Sequence, residues 1–407
     1  MALYSSRASQ ANSLPRYLTD ERLYGQVMAS TPSATRFYRP ELDVVRFLAF
    51  ALVFLHHTLP PASNPNIVHI LKDFAPYLDV LTEACGFGLS LFFTLSAFLI
   101  CELLLRERAA AGTVHVRQFY TRRILRIWPL YYLGLAMGLV WAYLPGHDHN
   151  GAFQMGWFAI FLGAWHAALR IGPAPANPFN SLWSISVEEQ FYAFAPWITK
   201  YFSRKFIYAF CFALVFVTNS CLYYSGRTQV PNDKIWYNSL VQFECFAGGM
   251  LLCLILRGRL PTIAMPLRVT LLAGCGCCWF LASGLHTQFQ YPFTNPGAWA
   301  LIGEYALGLS GCLLILVAFL GLDAGLWPRW VIYLGRISFG LYVYHELALD
   351  IISASLPHAA SLTSALASVK LSLAIGLNIA MAALSYRYLE APFLRMKKRQ
   401  SIIQSTL

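Results

Sequence analysis

The sequence predicts an all-α integral membrane protein of about ten transmembrane helices, with both termini cytoplasmic and one re-entrant or interfacial segment near residues 152–180. Composition is the first reason: of 407 residues, 57% are hydrophobic and only 12% charged, more apolar surface than a soluble fold of this length can hide. The second is that apolar runs of membrane-spanning length recur almost to the C-terminus, with no long polar linker between them. The third is the placement of basic residues: with a cytoplasmic N-terminus and ten spans, about 25 of the 30 Lys and Arg fall on the cytoplasmic side.

In chain order, residues 1–40 are polar and lack the apolar core of a cleavable signal peptide, which predicts a cytoplasmic N-terminal extension. The transmembrane domain covers 41–395. Its expected spans lie roughly at 45–62, 84–105, 123–145, 182–202, 206–224, 238–256, 267–285, 299–320, 331–352 and 366–388. Residues 152–168 are also apolar, but a full span there would move the basic clusters at 200–205, 257–268 and 387–399 to the outer side. That stretch, with the Gly/Pro-rich 171–179, therefore reads as re-entrant or interfacial. Residues 396–407 form a cytoplasmic basic tail.

A net charge of +11 could indicate nucleic acid, yet the basic residues stand in short clusters between apolar runs and act as orientation signals, so no nucleic-acid partner is expected. Ten cysteines are scattered through apolar segments without paired CxxC motifs, and the tight Cys275, Cys277, Cys278 group lacks metal-ligand spacing. They read as small buried side chains, and no metal is expected.

Four constellations place ionisable groups inside apolar runs, where charge is costly unless it faces the bundle interior or water. Arg46 and His57 are eleven positions apart, about 1100° of helical rotation, so they share a face with roughly 16 Å between them. This puts Arg46 at the cytoplasmic edge and His57 near the bilayer midplane. Histidine suits proton abstraction near neutral pH; a hydrogen-bonded structural histidine is the competing reading.

In FYTRRILRIWPLYY (119–132), Arg123 and Arg126 lie one turn apart with Arg122 and Arg117 beside them. The cluster is either a plain topology signal or a grip on a phosphorylated cofactor. LWSISVEEQFYAFAP (182–196) carries Trp183, Ser186, Glu188 and Glu189, and at least one of these carboxyl groups should be protonated or paired, able to orient a histidine or hold an acceptor hydroxyl. LGRISFGLYVYHELAL (334–349) carries Tyr342, His345 and Glu346, with His345 either a structural donor or a catalytic group. Glu244, Glu304 and Asp350 are weaker candidates without a clear partner.

At these residues the chain resembles the acyltransferase-3 family of membrane acyltransferases. The likeness runs through YRPELDVVRFLAFALVFLHH (38–57), GLSLFFTLSAFLI (88–100), FYTRRILRIWPLYY, LWSISVEEQFY, GRISFGLYVYH (335–345) and YRYLEAPFLR (386–395), all in family order. Two departures stand out: Ala97 occupies the place of a usual glycine, and Val44-Val45 replaces a common Gly-Leu. Both bear on local packing only.

The resemblance implies transfer of an acyl group, usually acetyl from cytoplasmic acetyl-CoA, to a hydroxyl of a sugar-containing acceptor such as a cell-surface polysaccharide or lipid-linked glycan. It marks Arg46, His57 and Glu188 as catalytic and Arg123 and Arg126 as cofactor-binding, with Arg122 beside them. His57, held in its neutral tautomer by Glu188, would be the base. The resemblance further implies a bacterial inner-membrane location and, here, no appended esterase-like domain. A transporter or flippase of a sugar-lipid or acyl donor is the alternative, and a non-catalytic scaffold a second one.

Overall fold

The computed structural model describes residues 36–59, 75–146, 149–170, 176–287, 297–355, 364–398 and 404–405. Apart from a two-residue parallel pairing of Arg36–Phe37 with Gln404–Ser405, regular structure among the described residues is helical. Most of the expected N-terminal extension and basic tail lies outside the described residues.

The helices are α1 (Pro40–Thr58), α2 (Ala75–Ala111), α3 (Val116–Ala142), α4 (Asn150–Ala159), α5 (Gly163–Leu169), α6 (Leu182–Tyr201), α7 (Arg204–Arg227) and α8 (Asn232–Tyr237), followed by α9 (Ser239–Leu256), α10 (Met265–Thr287), α11 (Ala298–Phe319), α12 (Arg329–Arg336), α13 (Ser338–Ser355), α14 (Ser364–Ser385) and α15 (Ala391–Lys398). A π-helical turn, Tyr386–Glu390, joins the last two.

Seven runs are long and apolar enough to cross a membrane: Tyr77–Ala111, Val116–Ala142, Arg204–Arg227, Ser239–Leu256, Met265–Gly284, Ala298–Phe319 and Ser368–Met396. The chain is a multi-pass membrane protein. The other three expected spans fall on α1, α6 and α13, of 19, 20 and 18 residues. These are the helices that carry Arg46 and His57, Glu188 and Glu189, and His345 and Glu346. Their polar content separates them from the seven, while at about 1.5 Å per residue each still reaches nearly 30 Å.

Three boundaries differ from expectation for local reasons. Helix α1 stops at Thr58, not 62, because Leu59 precedes Pro60 and takes an extended backbone (ψ 129°), so His57 sits in the last turn. The expected span 331–352 is broken at Ile337 into the short α12 and the longer α13. Residues 152–168 form no single helix: Phe161, at φ 58°, divides α4 from α5, and neither is long enough to cross a bilayer.

Two helices carry ordinary terminal signals. Pro40 opens α1 with Glu41 and Asp43 in its first turn; the Asn238 side chain accepts the Leu240 N–H to start α9, and Arg257 closes that helix at φ 51°.

Helix α2, 37 residues long, is the central post, packed by α1, α6, α9, α10 and α11. Phe93 of α2, Phe191 of α6 and Phe246 of α9 are buried and meet around Phe246, with centroids 5.1 Å apart to Phe93 and 4.5 Å to Phe191. Ala97 is fully buried where α9 crosses, and the crossing residue is Gly249, whose missing Cβ would meet the Thr94 carbonyl and Ala97 itself. The alanine departure is thus accommodated by a glycine on the facing helix. At the other seam α12 lies on α1, and a Cβ on Gly335 would collide with the Asp43 carbonyl.

Candidate functional site: two cavities meeting at Tyr342

The residues singled out in the sequence divide between two cavities. The smaller, about 110 Å³, is lined by Arg46 from α1, Arg123 and Arg126 from α3, Ser96 from α2, and Glu188 and Tyr192 from α6. The larger, about 300 Å³, is lined by His56 and His57 from the end of α1, Trp183 from α6, Glu346 from α13, and Asp233 and Trp236 from α8. Leu89 and Tyr342 line both and form the wall between them.

In the smaller cavity Arg46 is fixed by a 2.7 Å bond to Asp43, one turn earlier; Asp43 also lies 3.8 Å from Arg336, which donates to the Tyr38 hydroxyl at 2.6 Å. Arg123 is buried, with its guanidinium carbon 5.6 Å from the Phe119 ring centroid and 5.7 Å from that of Tyr192. Its Nε has no hydrogen-bond partner. Among the described residues no carboxylate pairs with Arg123 or Arg126 at ion-pair distance. Two guanidinium groups without an ion-pair contact, facing one cavity beside the single carboxyl group of Glu188, have the chemistry to receive an anion.

Arg122 is different: it donates to Glu107 at 2.7 Å and lines neither cavity, so the expected cofactor contact is replaced by an ion pair. Arg117 is exposed. Both neighbours therefore stand outside the cavity they were expected to thicken.

Glu188 also departs from its expected place. It lines the arginine cavity and accepts the Tyr192 hydroxyl at 3.1 Å, with Ser96 2.6 Å from the same hydroxyl. It is not part of the cavity that His57 lines, so it does not hold that imidazole. Glu189, a helical step away, takes the Trp128 indole N–H at 3.4 Å. Ser186 is fully buried, 3.4 Å from the Tyr131 hydroxyl, and lines neither cavity.

The partner of His57 is instead His345, with ring centroids 5.1 Å apart. His345 is fully buried; its Nδ1 lies 2.6 Å from the Tyr342 carbonyl and so donates to it. That bond leaves Nε2 as the acceptor, without a hydrogen-bond partner and 3.8 Å from Glu346. His56, by contrast, donates from Nδ1 to the Thr82 carbonyl at 2.8 Å and ties α1 to α2. Both adjacent histidines line the cavity, and His57 is the more exposed of the two. Atoms of His57, His345 and Glu346 lie within 4.8 Å of one another.

Tyr342 earns its place by geometry: its hydroxyl is 2.7 Å from Ser184 Oγ and 3.2 Å from the Ser181 carbonyl, which pins the ring in the wall. Sequence reasoning missed Asp43, Tyr192, Glu83, Asp233 and Trp236, and left Glu304 as a weak candidate although it lines the larger cavity. The acids in the first turn of α1 were visible beforehand. Nothing in the six-residue α8 announced that it would close a cavity.

Comparison with known proteins shows the family. The acyltransferase-3 family, described as an acyltransferase domain, matches residues 39–385. "Putative peptidoglycan O-acetyltransferase YrhL" of Bacillus subtilis is 28% identical over 71% of this chain and 48% of its own length. "Peptidoglycan O-acetyltransferase OatA" of Listeria monocytogenes is 22% identical over 90% of this chain and 57% of its own. The chain spans about half the length of these curated relatives. No solved structure matches. With the family's domain covering all helices that carry the two cavities, the chain belongs to the acyltransferase-3 family of membrane proteins.

Proposed function

We propose that the chain transfers an acyl group, acetyl as the commonest case, from acyl-CoA bound at the arginine cavity to a hydroxyl of a sugar-containing acceptor in the larger cavity, with His57 as general base. The observation that carries this is the pair of arginines without an ion-pair contact on one side of Tyr342 and an open imidazole on the other. Acyl-CoA is a polyanion joined to a thioester by a long thin arm, and Arg123 and Arg126 offer fork-shaped donors for its phosphates. No metal is invoked.

In this reading the arginine end faces the cytoplasm of a bacterial cell, following the bias of the basic loops, so the nucleotide need not cross the bilayer. For the thioester to meet the acceptor the Tyr342 ring, bonded to Ser184 and the Ser181 carbonyl, has to swing out of the wall. His57 takes the hydroxyl proton as the oxygen attacks the thioester carbon, the carbon–sulfur bond breaks, and the proton goes on to the departing CoA sulfur. The His345 ring, 5.1 Å from that of His57 and with an unpartnered acceptor Nε2, takes the positioning role expected of Glu188. The acceptor class rests on the relatives, which are named for peptidoglycan O-acetylation.

The test compares glycan and lipid mass spectra from cells carrying the gene, lacking it, or carrying His57→Ala. An acetyl increment on a glycan only with the wild-type gene supports the reading. An unchanged glycan profile with intact protein in the membrane overturns it, and movement of an unmodified sugar-lipid would favour a transporter.

A further inference from the structure

Tyr342 and Leu89 are the described residues that line both cavities, and of the two Tyr342 alone carries a polar side chain. Its hydroxyl is held at the start of α6 by two bonds, 2.7 Å to Ser184 Oγ and 3.2 Å to the Ser181 carbonyl. Ser184 Oγ donates to that same carbonyl at 2.9 Å, so the three groups close a small buried network. Ser184, Glu188 and Tyr192 recur at four-residue spacing, which puts the network on the face of α6 that lines the arginine cavity. The other end of Tyr342 is engaged as well. Its carbonyl accepts His345 Nδ1 at 2.6 Å, and its ring centroid lies 5.5 Å from that of His345 and 6.0 Å from that of Phe92. On the side of the larger cavity, Ser181 Oγ is buried and has no hydrogen-bond partner among the described residues. Buried hydroxyls are nearly always satisfied, so Ser181 offers an incoming hydroxyl compound a contact on the residue whose carbonyl holds Tyr342.

We infer that Tyr342 decides which nucleophile reaches the thioester, a sugar hydroxyl or water: latched to Ser184 and Ser181 it keeps the donor apart from His57, and an acceptor that fills the larger cavity releases it. The inference rests on the proposed acyl transfer at His57. Water is the competitor because it reacts by the same steps. His57 takes a proton from water as its oxygen attacks the thioester carbon, the carbon–sulfur bond breaks, and that proton passes to the sulfur, leaving acetic acid and the CoA thiol. A single water neither fills a cavity of about 300 Å³ nor replaces the two bonds that hold the Tyr342 hydroxyl. A sugar ring fits a space of that size and brings several hydroxyls to Ser181 Oγ and to the groups that Tyr342 leaves. Acceptor binding then drives the opening, and the reacting groups meet only when the right nucleophile is present. Packing alone does not need the hydroxyl, since a phenylalanine would fill the same wall.

The experiment uses the full chain in lipid nanodiscs with acetyl-CoA labelled in its acetyl group and no sugar present, and counts free acetate. Tyr342→Phe keeps the ring and removes the latch, and is expected to release acetate at least fivefold faster than the wild-type protein. Ser184→Ala, which leaves the bond to the Ser181 carbonyl, should raise the release by a smaller factor and reads the same latch from α6 should Tyr342→Phe fail to fold. Adding His57→Ala to Tyr342→Phe should return the rate to that of His57→Ala alone. A hydroxyl with a merely structural role would cost activity on removal and not add a hydrolytic one. Acetate release unchanged or lowered in both latch variants, or raised but indifferent to His57, would overturn the inference and leave acyl transfer standing. Acetyl-CoA binding no tighter to the wild-type protein than to the Arg123→Gln, Arg126→Gln double variant would instead bring down the donor reading on which the inference rests.

Discussion

The two cavities on either side of Tyr342 share helices α1, α2, α6 and α13 and differ in the charge of their walls. The smaller gathers Arg46, Arg123 and Arg126 around one carboxyl group, Glu188; the larger gathers four carboxyl groups and two histidines with no described Lys or Arg. The difference teaches that charge is partitioned along the bundle, not spread through it: helix α1 alone carries Arg46 into one cavity and His57 into the other, eleven positions and about three turns apart. On the proposed function such a division would place a polyanionic donor beside the arginines and the hydroxyl acceptor beside His57.

The strongest way to break the comparison is His57→Ala. If His57 works only on the acceptor side, acetyl transfer should fall by about two to four orders of magnitude, the usual contribution of a positioned base, while the dissociation constant for acetyl-CoA stays within twofold. Calorimetry or a filter-binding assay on purified protein reads the second quantity. Loss of donor binding together with activity would show that the cavities are not functionally separate.

The complementary variant is Arg123→Gln with Arg126→Gln. Each charge-assisted hydrogen bond contributes about 1.5–3 kcal/mol, so the pair should weaken acetyl-CoA binding by at least a hundredfold, with acceptor binding unchanged. Unaltered donor affinity would return both arginines to the role of topology signals.

A third variant probes the frame that holds the two ends of α1 in register. Gly335→Ala places a methyl group against the Asp43 carbonyl, where α12 crosses α1 beside the Asp43–Arg46 ion pair. Overpacking of this kind costs about 1–3 kcal/mol and should lower the thermal midpoint in detergent and raise KM for the donor more than for the acceptor. An unchanged midpoint would mean that the seam is looser than the contact indicates.

How much of this was legible beforehand follows from what a helix period can and cannot report. Periodicity fixes which residues share a face of one helix, so the common face of Arg46 and His57 and the pairing of Arg123 with Arg126 could be read directly. Loop charge and run length gave the helical membrane class, and the break in residues 152–168 agrees with the expectation that they form no single span. The period says nothing about which helices face each other, and there the reading failed: Glu188 was assigned to His57 when the packing of α6 against α2 and α3 turns it toward the arginines, and Arg122 was grouped with its neighbours when Glu107 claims it. Residues brought in by short helices and turns, such as Asp233 and Trp236 on α8, had no periodic signal to betray them. The π-helical turn at Tyr386–Glu390 buries Glu390 at the base of the bundle, and the motif YRYLE marked the place without its geometry.

The smallest expected effect is the sharpest on the partition itself. Glu188→Gln keeps an oxygen to accept the Tyr192 hydroxyl and removes one negative charge from the arginine cavity. If Glu188 belongs to donor binding, KM for acetyl-CoA should change by a few-fold, most simply downward as the phosphates lose a repulsive neighbour, while KM for the acceptor holds. Turnover should fall far less than in His57→Ala. A collapse of kcat matching the histidine variant, with both KM values unmoved, would tie Glu188 to the proton transfer across the Tyr342 wall and would make the two cavities a single catalytic unit.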